Sequence, residues 1–402
     1  MKEKKEHFLN YDRIFDDVRR NESLAANPVP TPVHVTDLEH FKIYQTLEGP
    51  KWSCWVQAFF TPNGALRVLF NNLEGGPSDL KPDYKWEYFS PLPYQGIRRN
   101  YRCLESADGG RTWREVLRYD NPDRCVPLIL PACYVAGKVL LGIGGVWATW
   151  DNEKQTYNPI GHVMAARSAD DGRTWTEQVS LNDPQRDQLV WCHPKILRDG
   201  TVVLPAYGKI GHPEHKEDIV GGPTDAVLFF STDGGRSWSD PLLLARGIPT
   251  RTNDEPEVAE LGTGDLLVML RHANPTKVGT PAVYLPCGQI VVRKVNGRWI
   301  PGPWVSTHLG FRGFPALLRT RDGILIGAGS GNQFNFTVDD GKTWSETMFL
   351  ADPKYNRHNH YPVLVEMPDG RIMSIYHVGN HWPYPPPEDQ WIHATAFRLR
   401  RR

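Results

Sequence analysis

The chain has 402 residues in which 46 Lys and Arg balance 46 Asp and Glu, with 36 Gly, 34 Pro, 14 Trp, 14 His and 6 Cys. Zero formal charge without a basic block argues against a nucleic-acid or anionic-membrane surface, since both require clustered cations to displace counterions. No stretch approaches the roughly 18 consecutive apolar residues of a membrane span, and six cysteines lacking any CxxC pair read as reduced, mostly buried thiols.

Residues 1–30 read as an arm. The start, Met1-Lys2-Glu3-Lys4-Lys5-Glu6-His7, is too charged to lead into a secretory apolar core, which makes the chain unexported and cytoplasmic by expectation. Ile14, Phe15 and Val18 mark a short amphipathic helix. From residue 31 onward apolar runs alternate with turns. Ala58–Phe70 is a hairpin about Gly64, Pro362–Tyr376 one about Gly370, and others turn near Gly137, Gly200, Gly264 and Gly323. These six hairpins are spaced 73, 63, 64, 59 and 47 residues apart.

Four octets run in step with them: Ser106–Trp113, Ser168–Trp175, Ser231–Trp238 and Thr337–Trp344, each of the form Ser/Thr-x-Asp-x-Gly-Lys/Arg-Ser/Thr-Trp. Asp and Ser/Thr oxygens accept turn N–H groups, Gly supplies positive φ, and Trp packs inward. Gly288–Trp299 is a hairpin in which the octet has shrunk to Asn296-Gly297. Past Gly370 only Ile392–Leu399 remains as a further strand, so Val33–Gln45 is expected to supply the missing one and tie the termini together. Radial closure of six four-stranded sheets protects their edges. The expected fold is an all-β, six-bladed β-propeller over residues 31–402, with no second domain.

The octet resembles the Asp-box, or BNR repeat, of the sialidase (neuraminidase) superfamily, whose blades carry it between their third and fourth strands. In a meandering blade the first and third turns share one face, so an axial site draws on residues just before first strands and just after second strands. Those positions hold Trp52, Cys54, Asn71, Asn72 and Glu74; Arg124, Cys125 and Trp147; His193, Tyr207 and Lys209; Asp254, Glu255, Glu257, Arg271 and His272; Arg312, Phe314, Asn332 and Gln333; and His358, His360, Tyr361, His377 and His381. Hydrogen-bonding, aromatic and cationic groups of this kind hold a sugar.

The resemblance implies particular roles. Glu255 and Arg271 match the family's base and carboxylate-binding arginine, with Glu257 sharing the strand parity of Glu255, and Tyr361 matches the nucleophilic tyrosine. Asp79 is similar in place to the acid/base aspartate, ahead of Asp83 and Glu74. At two of the family's three arginine positions this chain has Ser53-Cys54-Trp55-Val56 and Gly331-Asn332-Gln333-Phe334. A cysteine and an amide do not replace bidentate guanidinium contacts, though Arg312 and Arg124 are placed to compensate. His193, His358, His360, His377 and His381 add acid/base chemistry.

The expectation is an exo-acting glycoside hydrolase of sialidase type on an acidic or otherwise non-standard terminal sugar. Tyr361, Glu255, Asp79 and His193 are its catalytic residues. Arg271, Arg312, Glu257, His360, His377, Trp52, Trp147 and Gln333 hold substrate, with neither cofactor nor metal. The alternatives are a lyase or His-dependent glycosidase on uronate- or rhamnose-containing glycans, and a non-catalytic carbohydrate-binding propeller.

Overall fold

The computed structural model describes residues 28–45, 52–75, 97–120, 128–135, 137–151, 156–211, 224–247, 252–274, 283–311, 313–350, 359–378 and 391–402. Among them every regular element is a strand, and 26 strands form six antiparallel sheets, the blades of a six-bladed β-propeller. After β1 (Val33–Tyr44), blade one holds β2 (Trp52–Phe60), β3 (Leu66–Gly75), β4 (Ile97–Ser106) and β5 (Arg114–Asp120). Blade two holds β6 (Leu128–Val135), β7 (Val139–Asp151), β8 (Thr156–Ser168) and β9 (Val179–Ser180). In blade three, β10 (Gln188–Trp191) and β11 (Lys195–Ile196) both pair with β12 (Val202–Lys209), followed by β13 (Asp225–Ser231) and β14 (Leu242–Ala245).

Blade four holds β15 (Asp254–Glu260), β16 (Leu266–Asn274), β17 (Val283–Val295) and β18 (Arg298–Pro301), with β19 (Val305–Ser306) also on β17. Blade five holds β20 (Ala316–Arg319), β21 (Leu325–Gly329), β22 (Gln333–Thr337) and β23 (Met348–Phe349). Blade six holds β24 (Asn359–Glu366), β25 (Ile372–Val378) and β26 (Trp391–Arg401), and its outermost strand is β1, antiparallel to β26 from Val33↔Arg401 to Tyr44↔Ile392.

The turn chemistry follows the sequence. The six hairpin glycines all have φ between +77° and +89°, a region closed to most side chains. Asn296 (φ 49°) and Gly297 (φ 77°) form the two-residue turn joining β17 to β18. In the first octet the Asp108 Oδ1 accepts from the Arg111 and Thr112 backbone N–H groups at 3.0 and 2.9 Å, and Oδ2 accepts from the Thr112 hydroxyl at 2.6 Å. The Thr174 hydroxyl and amide hold the Asp170 carboxyl down at about 2 in the second.

Each octet also leans on the preceding blade. A Cβ on Gly110 would strike Met373, one on Gly172 the Tyr119 hydroxyl, and one on Gly235 or Gly341 a leucine of the sheet before. Asp339 accepts from Thr337, Thr343 N and the Thr343 hydroxyl at 2.6, 3.0 and 2.7 Å. Asp339→Ala should therefore lower stability by roughly 2 kcal/mol, read as a reduced denaturant midpoint at unchanged slope; an unchanged midpoint would show that the turn forms without its carboxylate.

The core lies between blades. One buried apolar cluster joins blades one and two, and others join two and three, three and four, four and five, five and six, and six and one, so the ring is continuous through its closure. Cys54, Cys103, Cys133, Cys192 and Cys287 are buried and unbridged, and burial pushes Cys103, Cys133 and Cys287 up to about 12. Cys125 lies outside the described residues.

Blades one and two are further tied by a polar knot. Arg67, 4% exposed, makes a bidentate contact to Asp171 at 2.8 and 2.6 Å, donates to Glu105 at 3.0 Å and to the Tyr134 hydroxyl at 2.9 Å. The arm's expected helix lies outside the described residues, but Val29 is held on blade five, its N–H donating to Trp344 O at 3.0 Å and its carbonyl accepting from Glu346 N at 2.8 Å.

Candidate active site

Two innermost strands carry the same irregularity. The β15–β16 pairing steps from Asp254↔Arg271 to Glu257↔Met269, and the β24–β25 pairing from His360↔His377 to Val363↔Ile375, so two residues oppose one. Such a bulge re-aims a side chain. The first bulged residue is Glu255 (φ 48°) in one blade and Tyr361 (φ 53°) in the other. A non-glycine residue held in the left-handed region costs on the order of 1–3 kcal/mol, and such strain gathers at functional sites.

The two bulges bring blades four and six together at the axis. The Tyr361 hydroxyl donates to Glu255 Oε1 at 3.1 Å across 106 residues of sequence. Arg271 Nη1 lies 2.9 Å from Glu255 Oε2, and Nη2 lies 3.1 Å from Asp254 Oδ2. The Thr224 hydroxyl donates to the other Asp254 oxygen. Burial pushes the Glu255 carboxyl up to about 7, against the pull of Arg271, with the Asp254 charge adding to the rise and the Tyr361 hydrogen bond opposing it. Behind them burial raises the Tyr207 phenol and the Cys192 thiol well above their usual ranges.

The Tyr361 ring is fixed on both sides. Phe314 lies 5.3 Å away, and the fully buried His377 stacks at 5.9 Å with 20° between planes. A Cβ at Gly313 would come within 3.2 Å of Tyr361 Cε2, so glycine lets the loop before β20 close on the ring. His193 continues the series, 5.5 Å from Phe314.

Strand parity groups Glu257 with Glu255, but the bulge separates them. Glu257 faces blade three, where Oε1 lies 2.5 Å from Lys195 Nζ and Oε2 3.7 Å from His193 Nδ1. Below, a cavity of about 280 Å³ runs among the innermost segments of blades one, two, three and six, lined by Gln57, Phe59, Cys133, His193, Lys195 and Val363 among others.

Of the sequence-derived candidates, Tyr361, Glu255 and Arg271 meet directly, His377 backs the tyrosine, and His193 pairs with Glu257. Gln333 is 1% exposed and donates to Ser330 O at 3.0 Å, which makes it a brace of the turn between β21 and β22. Trp52, Trp147 and His360 lie on β2, β7 and β24, their side chains outside what is described. Asp79, Arg312, Asp83, Arg124, His358 and His381 also lie outside the described residues.

Sequence reasoning places Asp254 at the site end without assigning it a particular role, and does not single out Thr224, Lys195 or Gly313. Lys195 had a signal, two residues beyond His193 on the same segment. Thr224 had none, because its role depends on the neighbouring blade.

The six-bladed β-propeller carries at the inner ends of blades four and six a hydrogen-bonded pair, a buried carboxylate and a partly buried phenol. Residues 127–280 match the family of BNR repeat-like domains. A sialidase of Bacteroides fragilis is 24% identical over 183 residues, 41% of this chain and 32% of that one, so the match spans about a third of its relative's length. A crystal structure of a protein of unknown function from Dyadobacter fermentans superposes with TM-score 0.61 at 16% identity, covering 90% of this chain and 99% of that one. The NanB sialidase of Streptococcus pneumoniae superposes with TM-score 0.55 at 11% identity, covering 93% and 72%. The chain is thus similar, over parts of its length, to BNR repeat-like domains and to bacterial sialidases.

Proposed function

We propose that this protein is an exo-acting glycoside hydrolase of sialidase type, acting on an acidic or otherwise non-standard terminal sugar. The observation that carries it is the 3.1 Å hydrogen bond from the partly buried Tyr361 to the buried Glu255 at the axial site. Relatives named as sialidases support a glycosidase.

A neutral phenol approaches an anionic sugar without the repulsion that a carboxylate meets, and an adjacent base activates it. Glu255 takes the Tyr361 proton as the phenol oxygen bonds to the anomeric carbon. The departing oxygen accepts a proton from an acid, Asp79 or His193, which then deprotonates the water that releases the sugar from the tyrosine. Arg271 orients Glu255 and any substrate carboxylate, but it is shared between Asp254 and Glu255, so substrate competes with two internal partners.

Aryl glycosides of sialic acids, uronates and rhamnose, assayed beside a polysaccharide panel, test the proposal. Release of the aryl group with a saturated sugar supports it; an unsaturated product absorbing in the ultraviolet identifies a lyase. The pH profile follows from Glu255. The base works only when ionised, and its carboxyl sits at about 7, so kcat/KM should rise with unit slope below about pH 7 and level above it. A profile already flat from pH 5 would remove Glu255 as the base.

A further inference from the structure

Asp254 and Glu255 are consecutive, yet the bulge sends both carboxylates to one guanidinium. Arg271 Nη2 lies 3.1 Å from Asp254 Oδ2, and Nη1 lies 2.9 Å from Glu255 Oε2. Both acids are buried, at 7% and 4% exposure, and a buried carboxylate holds its place only when its oxygens are matched to donors. The second Asp254 oxygen is matched from the preceding blade. Thr224, fully buried just before β13, accepts from the Asn253 N–H at 3.1 Å on its hydroxyl oxygen, and its carbonyl accepts from Asn253 Nδ2 at 3.1 Å. A hydroxyl has one proton to give, and that of Thr224 goes to Asp254 Oδ1. Asp254 is thereby pinned between blade three and Arg271.

A carboxylate that held the whole guanidinium would be a poor base, since an opposite charge at contact favours the ionised form. Here the cation is divided. Arg271 pulls the Glu255 carboxyl down, burial and the Asp254 charge push it up, and it rests at about 7. Among the described residues, the other ionisable groups nearby are neutral or engaged elsewhere. Burial keeps the Tyr207 phenol and the Cys192 thiol of blade three uncharged, Glu257 is turned to Lys195 and His193, and His377 stacks on the Tyr361 ring. Geometry also sorts the two Glu255 oxygens: Oε2 faces Arg271, and Oε1 receives the Tyr361 hydroxyl at 3.1 Å.

We propose that Asp254, anchored by the Thr224 hydroxyl of blade three, is a positioning residue that holds one edge of the Arg271 guanidinium away from Glu255 and so keeps Glu255 a working base. In the step it serves, the Tyr361 O–H bond breaks and the proton passes to Glu255 Oε1, while Oε2 stays on Arg271. This rests on Glu255 being the base of Tyr361. It goes further by making the strength of that base a property of the contact between blades three and four.

Full-length protein carrying carbon-13 glutamate tests it by NMR, following against pH the side-chain carboxyl resonance that is missing from Glu255→Gln. In the parent it should titrate near 7. In Asp254→Asn, which leaves Arg271 to Glu255, it should titrate about one pH unit lower or more. Asp254→Ser, smaller and uncharged, should do the same, and Thr224→Ser, which retains the hydroxyl, should keep the parent titration. On the best aryl glycoside the acidic limb of kcat/KM should move down in parallel in both Asp254 variants, with kcat lower by roughly threefold or more as the base weakens and KM little changed. A Glu255 titration that stays put or rises in folded Asp254 variants overturns the proposal. So does loss of the fold in both, which would make Asp254 a purely structural residue. No turnover of any glycoside by the parent would instead sink the glycosidase reading, while a Glu255 titration that follows the Asp254 charge leaves the assignment of Asp254 standing.

Discussion

Tyr361→Phe should leave the protein folded and lower turnover by roughly a thousandfold or more, as loss of a nucleophile does. Folding should survive because the ring keeps its contacts with Phe314 and His377, and one hydrogen bond is worth only about 1 kcal/mol net. The variant also removes a donor that holds the Glu255 carboxyl down, so that carboxyl should titrate higher than in the parent. Glu255→Gln should be nearly as damaging, and the double variant little worse than either single one, because base and nucleophile act as a unit. The measurement is kcat/KM for the three variants on the best aryl glycoside, alongside their circular dichroism. Independent, multiplicative losses would mean that the two residues do not share a step.

Arg67→Met should cost about 3–5 kcal/mol of stability, the range for removing one partner of a buried ion pair. Arg67 is 4% exposed and spans Glu105 of blade one and Asp171 of blade two, with the Tyr134 hydroxyl between. Without the guanidinium, Glu105 keeps among the described residues only Arg114, which is itself mostly exposed. Adding Glu105→Gln and Asp171→Asn to Arg67→Met should recover part of the loss, since the damage comes from stranded charge more than from lost contact. Denaturant unfolding of the single and triple variants decides it; a loss below about 1 kcal/mol in Arg67→Met would make the knot a surface decoration.

The fold was legible because its signals are local and repeated. Six glycine hairpins and four octets fix the blade count, and a lone Ile392–Leu399 strand calls for a partner that Val33–Gln45 supplies. The site was legible in part. Glu255, Arg271 and Tyr361 sit where strand ends point, but parity assigned Glu257 to the same side as Glu255 and missed the bulge between them, which no local pattern announces. Asp254, Thr224 and Lys195 take their roles from neighbouring blades, and that dependence appears only once the ring is assembled. Gln333 and His377 occupy the expected places but are buried, as a linear reading of polar residues does not foresee.

The pairing of β1 with β26 has a kinetic consequence. His40 bonds to Thr395, 355 residues further along the chain. On the ribosome, at roughly 5–20 residues per second, β1 waits tens of seconds for its partner strand. During that time the earlier blades can assemble as an open arc with bare strand edges, and sealing it is a late step of high contact order, the kind most exposed to self-association.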